Sequence, residues 1–214
     1  MKGLSLIAFL FVAMVLPAQE WALHKNKDGI NVYTRKVEGQ AIKDLKINAT
    51  LNTTLSELVA ALEDFSTNQS WVRNTIFSKK LDVISDTHFY FHTATDLPFP
   101  AKDRDVAILY QRQQNPDTKV VRIDYEGVAD KVPVDDDYVR IPNLTAYYIL
   151  KPISADEVEI EYFLRASPGG SIPTWIINLA LTVGPLDTMM ALRKVLATGR
   201  YAEVVVPDLA DPFN

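Results

Sequence analysis

"SPGGSIPTWIINLALTVGPLDTMMALRKVL", residues 167–196, decides how the rest of the chain must fold. Pro168, Gly169 and Gly170 end whatever precedes them, and Pro173 sits at a favoured first helical position. Beyond it, Trp175, Ile176, Leu179, Val183, Leu186 and Met190 recur at helical spacing. Ile177, Leu181, Met189 and Leu192 lie off that row, so the helix offers more apolar surface than one stripe needs. Gly184-Pro185 falls in mid-helix and predicts a kink, because proline removes a backbone bond. A helix this apolar needs a broad partner, and the upstream sequence supplies one.

Strands are expected at 76–84, 87–96, 104–114, 118–128, 139–151 and 157–166, separated by turn signals such as "NPD" and "SAD". "VEIEYFLR" sends Val158, Ile160, Tyr162 and Leu164 to one face, and Glu159 and Glu161 to the other. "VVRIDYE" does the same with Val121, Ile123 and Tyr125. Strands wet on one side belong to an antiparallel sheet, and no helices interleave as a parallel sheet would need. Further upstream, Asp28-Gly29 makes a hairpin turn, and Leu45, Ile47, Ala49 and Leu51 alternate along another strand. Leu55, Leu58, Val59, Leu62 and Phe65 then follow helical spacing, with Thr54 and Glu57 as a capping box. The order is hairpin, strand, helix, six-stranded meander, long helix. The fold class is α+β: a curved antiparallel sheet of eight to nine strands gripping the C-terminal helix. Such a sheet encloses more space than its side chains fill, and a buried apolar cavity suits a lipid-sized ligand.

The composition is that of one ordinary globular domain: 48% apolar and 23% charged residues over 214 positions. Residues 3–16 form an uncharged apolar run after Lys2, read as a signal peptide cleaved near Ala18. The expected organisation is therefore a signal peptide at 1–18, one domain at 19–205 and a tail at 206–214. The expected location is the periplasm or the exterior. There are no cysteines, which excludes disulfides and thiolate chemistry. A net charge of −5 and no basic run argue against a nucleic-acid partner.

Several stretches together carry a resemblance. "W-x-L-x-K-x-K-D-G-I-x-V-Y-x-R" spans 21–35, and Trp71 follows the first helix. "PFPAKDRDV" spans 98–106, "VRIP" 139–142 and "SPGGSIPTWIIN" 167–178. In this order the chain resembles a START domain, the lipid-transfer module related to steroidogenic acute regulatory protein, in a bacterial secreted form. The resemblance implies a helix-grip fold, a hydrophobic tunnel under the C-terminal helix and binding of one lipid, sterol or similar amphiphile; it does not imply catalysis, and no cofactor is expected. It also implies that sterol-binding members carry a buried acid–arginine pair near the positions of Phe91 and Tyr110, which are uncharged here.

The expected ligand contacts are Phe91, His92, Ile108, Tyr110, Tyr147, Tyr162, Trp175, Leu179, Val183 and Met190. Asp103, Arg104 and Asp105 are read as a structural turn entering a strand, with Arg104 paired to a carboxylate on a neighbouring strand or on the C-terminal helix. The competing reading is a cyclase or hydrolase acting on a hydrophobic polyketide-like substrate through Asp96, His92 and Arg104. No metal site is expected. His88 and His92 sit four apart on a strand, about 13 Å at ~3.3 Å per residue, too far for one ion. "DDD" at 135–137 lacks the glycine and distal glutamate of a calcium loop. The expected partners are a hydrophobic small molecule and, transiently, a membrane, with the protein a monomer.

Overall fold

The computed structural model describes residues 20–213, so the segment read as a signal peptide lies outside the described residues. Thirteen elements follow in order. They are β1 (Ala22–Lys27), β2 (Ile30–Arg35), β3 (Asp44–Asn52), α1 (Leu55–Glu63), α2 (Asn68–Trp71), β4 (Thr75–Ser85), β5 (His88–Thr95), β6 (Arg104–Gln114), β7 (Val121–Gly127), β8 (Val139–Arg140), β9 (Asn143–Ser154), β10 (Glu157–Ser167) and α3 (Thr174–Leu196). The sheet runs β1-β2-β3-β10-β9-β7-β6-β5-β4. β10 lies beside β3, so the meander folds back onto the N-terminal hairpin.

Local chemistry explains each element. Asp28 and Gly29 both have positive φ, as a two-residue hairpin turn requires. Thr54 and Glu57 form the reciprocal capping box of α1, at 3.0 and 3.1 Å. Leu45, Ile47 and Leu51 of β3 and Val158 and Ile160 of β10 are fully buried on the concave face, which is what their alternation predicts. They form, with Leu55, Leu58, Leu150 and Leu192, the packed end of the core.

Three findings depart from the sequence reading. The strand expected at 139–151 is split at Ile141-Pro142, since proline has no N–H for the ladder. Its first piece, β8, pairs parallel with the start of β6 through Val139 N–Asp103 O (2.8 Å) and Ile141 N–Asp105 O (2.9 Å). The C-terminal stretch expected as a tail is packed down. Val206 is buried, Arg112 donates to Pro207 O at 3.2 Å, and Gln114 pairs reciprocally with the Ala210 backbone at 2.7 and 2.8 Å.

The third departure is the rotation of α3. Its buried residues include Leu181, Leu186, Met189 and Leu192, whereas Trp175, Leu179 and Val183 are exposed by 69%, 56% and 40%. A helix apolar nearly all round gives no polar stripe from which to read its orientation. Polar contacts fix it instead: Asn178 Oδ1 accepts from Lys43 N at 3.1 Å, and Asp187 pairs with Arg73 at 2.7 Å. The helix continues through Pro185, whose missing N–H leaves the Leu181 carbonyl without its helical donor.

Candidate functional site: a cavity beneath the C-terminal helix

Between the concave sheet, α1–α2 and α3 lies a cavity of about 380 Å³. Strand alternation builds one wall: Phe91 from β5, Ile108 from β6, Tyr125 from β7, Ala146 and Tyr148 from β9, and Tyr162 and Leu164 from β10. α1, α2 and the segment between them contribute Leu62, Phe65 and Trp71. The roof is Leu181, Pro185 and Met189 of α3. The aromatic rings form a continuous lining. Phe65 lies 4.5 Å from Phe91, Phe91 6.0 Å from Tyr125, Tyr125 5.8 Å from Tyr148, and Tyr148 stacks on Tyr162 at 4.6 Å. Burial pushes the Tyr125, Tyr148 and Tyr162 phenols up from their ordinary value, so all three stay neutral.

Charge is kept behind the wall. Arg112 Nε donates to Glu63 Oε1 at 2.8 Å, and Tyr110 donates to the same oxygen. Tyr110 stacks on Phe89 at 4.3 Å and is fully buried, outside the cavity proper. At the mouth, Arg73 N donates to Thr188 Oγ1 at 3.1 Å, and Arg73 Nη1 to Asp187 Oδ2 at 2.7 Å. These two bonds clasp the α2–β4 turn to α3.

Of the expected ligand contacts, Phe91, Ile108 and Tyr162 are in the wall. Tyr110 lies just behind it, and Met190 is half-buried on the flank of α3. The rest belong elsewhere. His92 and Tyr147 are on the convex face, where His92 meets Asp105 (2.8 Å) and Tyr147 donates to Glu161 (3.1 Å). Trp175, Leu179 and Val183 face outward. Tyr148, Trp71 and Phe65 were not anticipated. Tyr148 had a signal: Ala146, Tyr148 and Leu150 alternate against Thr145, Tyr147 and Lys151, so only one of the adjacent tyrosines can face inward.

The Asp-Arg-Asp turn ties neighbouring segments together, with a different pairing from the one expected. Arg104 meets no carboxylate. It donates to the carbonyls of Pro168 (3.3 Å), Gly169 (3.1 Å) and Lys102. Gly169 and Gly170 have positive φ, and a Cβ on Gly169 would lie 2.8 Å from Arg140 O, so the turn before α3 needs both glycines. The ion pair belongs to Asp105, which grips Arg140 through two bonds of 2.9 and 2.8 Å. Asp103 accepts from Leu97 N at 3.0 Å. Arg104→Ala strips the turn of its buried donor and is expected to cost about 1.5–3 kcal/mol, read as a lower denaturation midpoint at unchanged slope. A midpoint equal to wild type would show that the turn holds without Arg104.

The enzyme candidates do not converge. Asp96 is exposed, His92 is on the convex face and Arg104 is at the turn before α3. Neither a carboxylate nor an imidazole lines the cavity among the described residues, and no three His, Asp or Glu side chains there gather around one point.

Some known proteins are similar to this chain in sequence as well as in architecture. A START domain family model matches residues 10–203. An uncharacterised protein of Pseudomonas aeruginosa is 27% identical over 176 residues, which is 82% of this chain and 86% of that one. Human START domain-containing protein 10 is 26% identical over 164 residues, 74% of this chain but only 55% of that protein. The crystal structure of a STAR-related lipid transfer protein fragment from Xanthomonas axonopodis superposes with a TM-score of 0.77 at 31% identity, covering 83% of this chain and 98% of that one. A concave antiparallel sheet, a C-terminal helix closed over an aromatic-walled cavity, and a match across nearly the whole domain place this chain in the START domain family.

Proposed function

We propose that the protein binds one lipid-like molecule non-covalently in the cavity and carries it through the aqueous space outside the cytoplasm. The carrying observation is the cavity itself: a volume of about 380 Å³, walled by apolar and aromatic side chains and roofed by a single helix. Family membership supports lipid binding in general. The apolar run at 3–16 supports export. Each buried methylene of a ligand contributes about 0.8 kcal/mol before ordering costs, so a long chain suffices for tight binding without any covalent step. Nothing in the cavity favours the cyclase or hydrolase reading, whose candidate residues are scattered.

Loading requires α3 to lift from the sheet, and its outer face suits a membrane. Trp175 and Leu179 are exposed there, and Phe99, in the β5–β6 loop, is 97% exposed. Exposed apolar residues grouped on one helix face mark a contact surface. The test is transfer of a fluorescent lipid between two vesicle populations. Wild type accelerates transfer in proportion to its concentration. The double variant Trp175→Ser, Leu179→Ser is expected to slow transfer severalfold while binding the same probe with unchanged affinity. Transfer unaffected by the double variant argues against membrane docking through this face.

The clasp at the mouth sets the exchange rate. Arg73 and Asp187 are both partly exposed, so their pair is worth at most about 1 kcal/mol. Asp187→Ala is expected to speed probe release up to about fivefold, with little change in melting temperature. Stopped-flow dilution checks this, and an unchanged release rate removes the clasp from the mechanism.

A further inference from the structure

The segment after α3 holds the cavity wall without entering the cavity. None of its residues is on the lining, which ends at Leu192 among the described residues. Yet it reaches the turn between α1 and α2, residues 64–67, where Phe65 lines the ligand space. Tyr201 is 6% exposed, and its hydroxyl donates to Asp64 Oδ2 at 2.9 Å and lies 3.3 Å from Thr67 Oγ1. Arg200 Nη2 sits 4.0 Å from the same carboxylate oxygen. Among the described residues, every hydrogen bond and ion pair that reaches this turn from outside the α1–α2 segment comes from residue 200 or 201.

The same segment is fastened again further on. Arg112 Nη2 donates to Pro207 O at 3.2 Å, Gln114 bonds the Ala210 backbone in both directions at 2.7 and 2.8 Å, and Val206 is buried. Arg112 also turns its Nε to Glu63 Oε1 at 2.8 Å, on the residue next to Asp64. Residues 63–67 are therefore held twice by one segment, directly through Tyr201 and by way of Arg112. No strand ladder shares the task, because these residues lie between β3 and β4. The Phe65 ring lies 4.5 Å from Phe91 and stands edge-on to Phe89 at 5.5 Å, so its place sets how far this wall stands from β5. A ligand packed on Phe65 and a segment pinning the Phe65 backbone act on one element. Two binding events that favour the same arrangement of one element favour each other.

We propose that residues 200–210 are a strap that positions the α1–α2 wall from behind, so that lipid occupancy and strap docking reinforce each other. The inference rests on the lipid-binding reading above and adds a control of affinity from outside the cavity. A lipid against Phe65 holds the 64–67 turn where Tyr201 finds Asp64. A released strap frees the turn, and the lipid loses one side of its contact. Such coupling is reciprocal: the strap tightens the lipid by the same factor as the lipid tightens the strap. Tyr201 is thus a positioning residue that acts through Phe65. Burial pushes the Asp64 carboxyl up, but bonds from Ser66, Tyr201 and Thr67 outweigh it and hold it below the usual aspartate value. Tyr201 therefore meets a charged acceptor at neutral pH, which strengthens the bond.

Hydrogen–deuterium exchange and binding titrations on the full chain test this, with oleate as a charged probe and 1-monooleoylglycerol as a neutral one. The reporter is the Ala210 amide, which bonds Gln114 Oε1 at 2.8 Å and exchanges when the strap opens locally. A saturating probe is expected to slow its exchange about fivefold, the worth of one hydrogen bond. Tyr201→Phe keeps the ring and removes the hydroxyl. It is expected to weaken whichever probe binds about fivefold and to abolish the slowing at Ala210. Gln114→Ala is the second variant. It loosens the strap from a position that touches neither the turn nor the cavity lining, and it is expected to weaken the probe severalfold as well. A strap that served stability alone would lower the melting temperature in both variants and leave probe affinity unchanged. Equal Ala210 exchange with and without a bound probe, or unchanged affinity in either variant, overturns the strap while the cavity reading stands. Failure of both probes to bind wild type overturns both.

Discussion

Asp105→Ala is expected to remove about 3–5 kcal/mol of stability, because it breaks a buried ion pair. The Asp105 side chain is 1% exposed and carries three bonds, two from Arg140 and one shared with His92. Deleting it strands a nearly buried guanidinium. Arg140 also holds the 129–133 loop through the carbonyls of Ala129, Val132 (3.1 Å) and Pro133 (3.0 Å), so the loop loosens with it. At ~2–4 °C per kcal/mol for a domain of this size, the melting temperature falls by roughly 6–20 °C. The effect carries a pH signature. Burial pushes the Asp105 carboxyl up, but the bonds from Arg140 and His92 outweigh it and hold the pKa below the usual aspartate value. Asp44, gripped by Arg165 and Arg35, is lowered in the same way against its own burial. A depressed folded pKa means that the stabilisation is complete above about pH 4 and is lost as pH falls through the folded value. Wild type therefore loses stability as pH falls below about 4, and the gap between wild type and Asp105→Ala narrows in that window. Denaturant titrations between pH 3 and 7 that kept the gap constant would contradict this.

Filling the cavity is expected to abolish ligand binding without unfolding the protein. Ala146 sits in mid-β9 with its side chain directed at the ligand space, between the Tyr125 and Leu164 partners of its ladder. Ala146→Phe puts a ring where wild type has space, so it avoids most of the ~1–3 kcal/mol that overpacking a full core costs. Leu181→Phe does the same from the roof. Wild type is expected to gain about 2.7 kcal/mol from a ligand at a hundredfold its Kd, and neither variant to gain anything. Thermal melts with and without a lipid probe separate the outcomes. A plugged variant that still gained stability from ligand would mean that the ligand binds elsewhere.

The contrast between β10 and α3 shows what the sequence could convey. In β10, glutamates alternate with Val158, Ile160, Tyr162 and Leu164, so the face is set by charge and the inward set is readable. In α3 the first half has no charged residue. Its rotation is set by Asn178 reaching the 41–43 loop and by Asp187 meeting Arg73, over separations of more than a hundred residues. That is why Trp175, Leu179 and Val183 were placed inside and Leu181 and Met189 off the main row. The partner of Arg104 was illegible for the same reason, because backbone carbonyls at 168–169 carry no side-chain signal. The break at Ile141-Pro142 was legible from the proline. The fold was thus readable from pattern, and the ligand wall only where alternation was charged on its wet face.

The central claim is that this cavity holds a lipid-like ligand, and native mass spectrometry of protein purified from its own cells tests it most directly. The account predicts a 1:1 adduct that organic extraction releases as a lipid-like molecule and that Ala146→Phe fails to carry. Wild type recovered free of any extractable ligand, or an adduct retained equally by Ala146→Phe, would contradict it.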